Sequence, residues 1–193
     1  MKLYYDPITV NCRKVVAGLD LIGASYDEER LNYFGGDHKQ APYTDINPNA
    51  ELPALVDDDL VLWESNAIMV YASEKLGNTN VYSSDPKIRA DMTRWMLWES
   101  SKWFAACYVY LVENVVKPIL DDVPDQGVLS AHGPTFHGLA TIFENALAGR
   151  EWLCDNHTTI ADIAMAAPMH LHAAQKLPLD DYPSIRAWIA RVE

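Results

Sequence analysis

Between Asn11 and Gly23 the apolar residues Val15, Val16, Leu19 and Ile22 recur at helical spacing. The pattern predicts a helix that Asn11 caps and Gly23 ends, because asparagine satisfies orphan N–H groups and glycine accepts the left-handed exit. Ahead of it, Lys2-Leu3-Tyr4-Tyr5 reads as a short strand and Asp6 to Val10 as a loop. Tyr26 to Leu31 reads as a second strand. Tyr33 to Ile46 is polar and irregular, with Gly35-Gly36 and Pro42, and is expected to be a loop with at most a short helix. Ala54-Leu55-Val56 and Leu60-Val61-Leu62-Trp63 then form a hairpin about Asp57-Asp58-Asp59. Pro53 precedes the first of these strands, where a missing ladder donor is tolerated. The Leu52-Pro53 step is a candidate cis bond, since cis X-Pro bonds concentrate in tight turns. Ser65 to Leu76 reads as a helix ended by Gly77.

From Gly77 to Pro86 the chain is rich in Asn, Thr, Ser, Asp and Pro, which marks a linker. The expected division is a first domain over 1–76, a linker over 77–85 and a second domain over 86–193. No strand-like alternation follows. Lys87 to about Lys117 reads as one long helix carrying Trp95, Trp98, Trp103, Tyr108 and Tyr110, with Pro118 beyond it. A second helix is expected over Gln126 to Leu147, although Gly133-Pro134 and Gly138 weaken it. Thr159 and Asp162 have the Thr-x-x-Asp spacing of a capping box, and a last helix begins near Pro183.

The 193 residues carry a net charge of −12, which argues against a nucleic-acid partner, because a phosphate backbone calls for clustered Lys and Arg. No apolar run approaches the roughly 20 residues that span a bilayer. The start lacks the pattern of a signal peptide. Cys12, Cys107 and Cys154 show neither a disulfide framework nor metal spacing, so a reducing cytoplasm is the expected setting. His132, His137, His157, His170 and His172 have no metal-binding spacing, and no metal is expected.

The order strand, helix, strand, short helix, two strands, helix is that of a thioredoxin-like fold. Within it, Leu52-Pro53-Ala54-Leu55-Val56-Asp57, a turn, and Leu62-Trp63-Glu64-Ser65-Asn66-Ala67-Ile68 resemble the glutathione-binding half of bacterial-type cytosolic glutathione S-transferases. The resemblance extends over nearly the whole chain and places the capping box at the start of a central buried helix. It implies an N-terminal thioredoxin-like α/β domain followed by a C-terminal all-α bundle. It further implies that the backbone at Leu52, beside Pro53, pairs with the cysteinyl part of glutathione, and that Glu64 and Ser65 hold its γ-glutamyl end.

A redox-active thioredoxin-like protein would read Cys-x-x-Cys where the first strand meets the first helix. This chain reads Thr9-Val10-Asn11-Cys12, so the site suits a thiol brought by a ligand. The loop is similar to both the serine-type and the Nu classes, which implies Thr9 or Asn11 as the group that holds the sulfur, with Tyr5 a third choice. Cys12 reads as a buried apolar residue. Glu51 stands where relatives commonly place Lys or Gln near the glycyl end of glutathione, and His38 and Lys39 are the available counter-charges. The second substrate, a small hydrophobic electrophile, is expected between the domains against the long helix, with Trp103 and Tyr108 lining its pocket. Glutathione transfer in a homodimer is therefore what the resemblance implies. Glutathione-dependent disulfide reduction and a non-catalytic binding role are the alternatives.

Overall fold

The computed structural model describes residues 1–192. At its start, β1 (Lys2–Tyr5) occupies an inner position in a four-stranded sheet of order β2-β1-β3-β4. It pairs in parallel with β2 (Asp27–Arg30) and antiparallel with β3 (Ala54–Asp57), which pairs antiparallel with β4 (Leu60–Trp63). The parallel pair needs a crossover, and α1 (Val10–Ile22) supplies it. β2 is exposed along its length and charged, Asp27-Glu28-Glu29-Arg30, which protects that edge from further pairing. α2 (Tyr43–Ile46) is one turn, and α3 (Ser65–Lys75) follows the hairpin.

Leu3, Val15, Leu19, Leu55, Ile68, Met69 and Ala72 are fully buried and make the core of this unit. α1 and α3 pack closely because Gly18 has no side chain: a Cβ there would stand 2.3 Å from the Met69 sulfur. A smaller cluster of Cys12, Tyr43, Leu52 and Ala54, with Tyr4, Tyr5, Leu31 and Ile46 against it, seats α2 and the start of β3.

Asp57 belongs to β3 rather than to the turn. Its carboxylate, 7% exposed, accepts from the Lys75 ammonium and from the Tyr71 hydroxyl at 2.5 Å. Those two hydrogen bonds hold its carboxyl below the usual carboxylate range. A depressed carboxyl stabilises the fold above the unfolded pKa, about 3.9, and stops doing so as pH falls through the folded value. Asp57→Asn is therefore expected to lower the urea midpoint at pH 7, with the deficit narrowing as pH falls below about 4. Urea titrations of both proteins at neutral and acid pH check this.

Met1–Pro86 and the residues from Lys87 onward form two compact units, and the second is helical among the described residues. α4 (Pro86–Trp98) runs on through a π-helical turn, Glu99–Trp103, into α5 (Phe104–Leu111). A second π turn, Val112–Val116, leads into α6 (Lys117–Ile119). The long helix of the sequence reading is thus widened twice, and it continues past Pro118. Pro118 stands just after the second π turn, Val112–Val116.

α7 (Gln126–Leu147) is continuous through Pro134. Both Pro134 and Ser130, whose carbonyl loses its helical donor, lie on the exposed side, so water can replace the missing bond. Asp125 caps α7 by accepting from the Gly127 and Val128 N–H groups. α8 (Ile160–Ala166), the short α9 (His172–Gln175) and α10 (Pro183–Val192) complete the unit. Trp103, Phe136, Phe143 and Trp188 are fully buried and form its aromatic centre, with ring centroids 5.0–5.7 Å apart.

Candidate functional site

Asp6 organises the loop between β1 and α1. It is 6% exposed, and its carboxylate accepts from Ile8 N–H at 3.1 Å and from Tyr33 N–H at 2.9 Å, with the Arg30 guanidinium 3.9 Å away. Its carbonyl accepts from the Thr9 N–H at 3.1 Å and from the Thr9 hydroxyl at 3.3 Å. The loop is thereby folded so that α1 begins one residue after Thr9.

Thr9, not Asn11, is the N-cap of α1: its backbone is extended and its Oγ1 accepts from Cys12 N–H at 3.3 Å. Threonine reaches the third helical N–H as readily as asparagine does, so either residue satisfies the rule the sequence reading used. Asn11 is consequently inside the first turn. There its Oδ1 accepts from the Ser65 hydroxyl at 3.4 Å, while its Nδ2 has no hydrogen-bond partner among the described residues. Ser65, 7% exposed, is the first residue of α3. The Asn11–Ser65 bond therefore joins the N-terminal ends of α1 and α3, two helix ends that both favour negative charge.

Glu64, the residue before α3, is exposed and has φ +73° and ψ 110°. That region costs a residue with a Cβ on the order of 1–3 kcal/mol. Leu52-Pro53 is cis, and so is Ala41-Pro42, which the sequence reading did not single out. The stretch before Leu52 is pinned from behind. Tyr43 Oη donates to the Glu51 carbonyl at 2.5 Å, and Asn47 Nδ2 donates to the same oxygen at 2.8 Å. Asn47, 2% exposed, also accepts from Asn49 N–H through Oδ1. Leu52 itself, 7% exposed, forms no backbone hydrogen bond among the described residues. An unpaired main-chain donor and acceptor on a largely buried residue are uncommon in folded proteins and suit an extended ligand backbone laid alongside.

Other side chains change their assigned part. His38 is buried, at 4% exposure, and stacks on Tyr33 with centroids 4.6 Å apart. Burial, with Lys39 beside it, pushes the imidazole toward its neutral form, so His38 is not the counter-charge expected from sequence. Lys39 is exposed and remains one. Glu51 also points to solvent and takes part through its carbonyl. Tyr5 Oη donates to Glu28 at 2.6 Å, and that bond raises the phenol to about 12. Tyr5 is thus occupied elsewhere. Burial lifts the Cys12 thiol to about 11, and its sulfur accepts from Asp6 N–H at 3.4 Å, which makes it a packing residue.

In the second unit Trp103 is fully buried against Trp98, Phe136 and Phe143, so it belongs to the core and does not line a pocket. Its place in a helical stripe fits either role, and burial decides. Tyr108 is 40% exposed and stacks on Phe104 at 5.3 Å. No helix among the described residues is long and apolar enough to cross a membrane.

Sequence reasoning missed Asp6, Tyr43 and Asn47. Asp6-Pro7 and Asn47-Pro48-Asn49 carried the signal, since Asx side chains before proline turns habitually bond the backbone two residues on.

A thioredoxin-like sheet with a helical second unit, two helix N-termini joined through Asn11 and Ser65, and a cis-proline just ahead of β3 define the class of a glutathione-binding transferase. Family models agree: the glutathione S-transferase N-terminal domain matches residues 1–74 and the C-terminal domain matches residues 118–193. A probable glutathione S-transferase of Oryza sativa subsp. japonica is 30% identical over 191 residues, covering 97% of this chain and 89% of its own. A glutathione S-transferase of Hyoscyamus muticus is 29% identical, covering 100% and 92%. Glutathione transferase F7 of Populus trichocarpa superposes with a TM-score of 0.88 at 26% identity, covering 99% and 92%. Glutathione S-transferase I from maize, solved with an atrazine–glutathione conjugate, does so with 0.87 at 25% identity, covering 99% and 91%. The chain belongs to the glutathione S-transferase family.

Proposed function

We propose that the protein binds glutathione as the thiolate and conjugates it to a small hydrophobic electrophile, with Thr9 and Asn11 flanking the sulfur. The observation that carries this reading is the Asn11–Ser65 junction, which leaves the Asn11 amide N–H₂ as a donor at the start of α1. The helix end supplies roughly half a positive charge there, and a charge-assisted donor adds to it. Both favour thiolate over thiol, whose reference pKa is about 8.5. Catalysis then consists of holding that thiolate, desolvated and oriented, against the electrophilic centre. The sulfur attacks, the leaving group departs with its electron pair, and the thiol proton goes to solvent. No covalent enzyme intermediate is needed.

The remaining contacts follow the tripeptide. Leu52 offers its unpaired main chain to the cysteinyl unit, in the manner of an added strand. Ser65 and the N-terminus of α3 accommodate the γ-glutamyl carboxylate, and Glu64 takes the α-amino group. Lys39 faces the glycyl carboxylate, and His38, neutral, contributes a ring N–H rather than a charge. Tyr108 remains the candidate for the electrophile's pocket. A cytoplasmic setting, a homodimer and a detoxifying role belong to the same reading. The cytoplasmic setting has the support of three cysteines that form no disulfide.

Glu64→Gly separates binding from folding. Glycine removes the φ strain, so the unfolding free energy is expected to rise by about 1 kcal/mol while glutathione affinity falls. Glu64→Ala, which keeps the strain, is expected to lose affinity with no gain in stability. Chemical denaturation and calorimetric titration of both variants check this pair.

Parallel assays of glutathione conjugation to 1-chloro-2,4-dinitrobenzene and of glutathione-dependent reduction of 2-hydroxyethyl disulfide test the function. Conjugation is expected to dominate. Dominant reduction would establish the reductase reading, which Thr9-x-Asn11 also suits, and binding with neither activity would establish a non-catalytic role.

A further inference from the structure

The two oxygens of the buried Asp6 carboxylate serve different loops. Oδ1 accepts from the Ile8 N–H at 3.1 Å, next to Thr9 at the start of α1. Oδ2 accepts from the Tyr33 N–H at 2.9 Å, in the segment between β2 and α2. The main chain of Asp6 is committed to α1: its carbonyl holds the Thr9 N–H and hydroxyl, and its N–H donates to Cys12 Sγ at 3.4 Å. The one cation against it is the Arg30 guanidinium on β2, itself 70% exposed. Buried carboxylates are kept where hydrogen bonds replace water, and here those bonds cross between two loops.

The segment that Tyr33 anchors has left the sheet. The last main-chain bond from β2 to β1 is that of the Leu31 N–H to the Tyr5 carbonyl, at 2.9 Å. Beyond it, the N–H groups of Asn32, Gly35, Gly36, Asp37 and Lys39 all donate within the segment itself, to Asp37, Asn32, Tyr33, Asn32 and Gly36. The Tyr33 N–H is therefore the tie from this segment to the loop that holds Thr9. On its other side Tyr33 lays its ring flat on His38, with centroids 4.6 Å and planes 12° apart, and Lys39 completes the same short turn. A continuous relay thus runs from Thr9 through Asp6 and Tyr33 to His38.

We propose that Asp6 is a positioning residue for glutathione, coupling the sulfur end of its site to the glycyl end. The proposal rests on the glutathione reading given above. Asp6 fixes Thr9 through its main chain and the His38–Lys39 turn through Tyr33, so one side chain sets the spacing of the two ends. A ligand seated at the sulfur end consequently steadies the glycyl end as well. Every residue of the relay belongs to the first unit.

The test uses the full chain and compares glutathione with γ-glutamylcysteine, which lacks the glycyl unit, by calorimetry, ultraviolet thiolate absorbance and amide exchange. Asp6→Asn offers one acceptor in place of two, and should weaken glutathione about tenfold and raise the pKa of its bound thiol. Tyr33→Ala keeps the N–H to Asp6 but loses the stack on His38. It should weaken glutathione while leaving γ-glutamylcysteine affinity and the thiol pKa unchanged. In the wild type, where no substitution can disturb folding, γ-glutamylcysteine should slow exchange of the Tyr33 amide about tenfold, although it does not extend to the His38–Lys39 turn. The proposal is overturned if Asp6→Asn keeps wild-type glutathione affinity and thiol pKa. It is equally overturned if Tyr33→Ala weakens both ligands alike, or if γ-glutamylcysteine leaves the Tyr33 amide exchanging as before. Wild-type protein that binds no glutathione would overturn the glutathione reading itself, and the proposal with it, which keeps the two failures distinct.

Discussion

Asp162→Ala is expected to unfold the second unit under mild denaturation, with a loss of at least about 3–5 kcal/mol. Its carboxylate is fully buried and accepts four hydrogen bonds. Oδ2 takes Thr159 N–H at 2.9 Å and the Thr159 hydroxyl at 2.8 Å, while Oδ1 takes Leu153 N–H at 3.0 Å and Trp188 Nε1–H at 2.9 Å. One side chain thus caps α8, anchors the preceding loop and satisfies the indole of α10. Removing it strands three N–H groups in the interior, each costing about 1–3 kcal/mol. Thr159→Ala removes only the hydroxyl that accepts from the Asp162 N–H and donates to the Asp162 carboxylate, a capping loss that should cost about 1 kcal/mol. Guanidinium titrations followed by tryptophan fluorescence compare the two. Equal, small losses would mean that the buried network does not carry the unit.

The second large effect concerns the sulfur. Asn11→Ala should raise the pKa of bound glutathione by roughly one to two units, since one charge-assisted hydrogen bond is worth about 1.5–3 kcal/mol. It should slow conjugation at neutral pH in proportion. Thr9→Ala removes the cap of α1 as well as a hydroxyl beside the sulfur, and is expected to lower both stability and rate. Thr9→Ser should restore both. The Thr9 hydroxyl already donates to the Asp6 carbonyl, although at a long 3.3 Å, whereas Asn11 Nδ2 has no such commitment. For that reason the asparagine is expected to make the larger difference to the pKa, and the threonine to the midpoint.

The elements of the fold were legible because periodic segments announce themselves. The presence of α1, its end at Gly23, the β3–β4 hairpin and the limits of α7 follow from apolar spacing and turn residues that act locally. The capping box at Thr159 was equally plain, but its reach to Leu153 and Trp188 was not, since those partners come from distant parts of the chain. At the site, the resemblance to the glutathione S-transferase family brought Thr9, Asn11, Leu52, Glu64 and Ser65 to notice. It did not reveal which of Thr9 and Asn11 caps α1, because both residue types do so. His38 looked like a loop cation and proved to be a buried ring, a matter settled by Tyr33 stacking on it. Trp103 sat on a stripe that serves a core or a pocket equally well in sequence. The short α9 carried no period long enough to detect.

The central claim is that the N-terminal end of α1 holds glutathione as a thiolate. Ultraviolet difference absorbance of glutathione bound to the wild-type protein, followed across a pH series, tests it most directly. The account predicts a thiolate band that persists at and below pH 7, with an apparent pKa at least one unit below the reference of about 8.5. Binding without that band at neutral pH, or titration at the value of free glutathione, would contradict it.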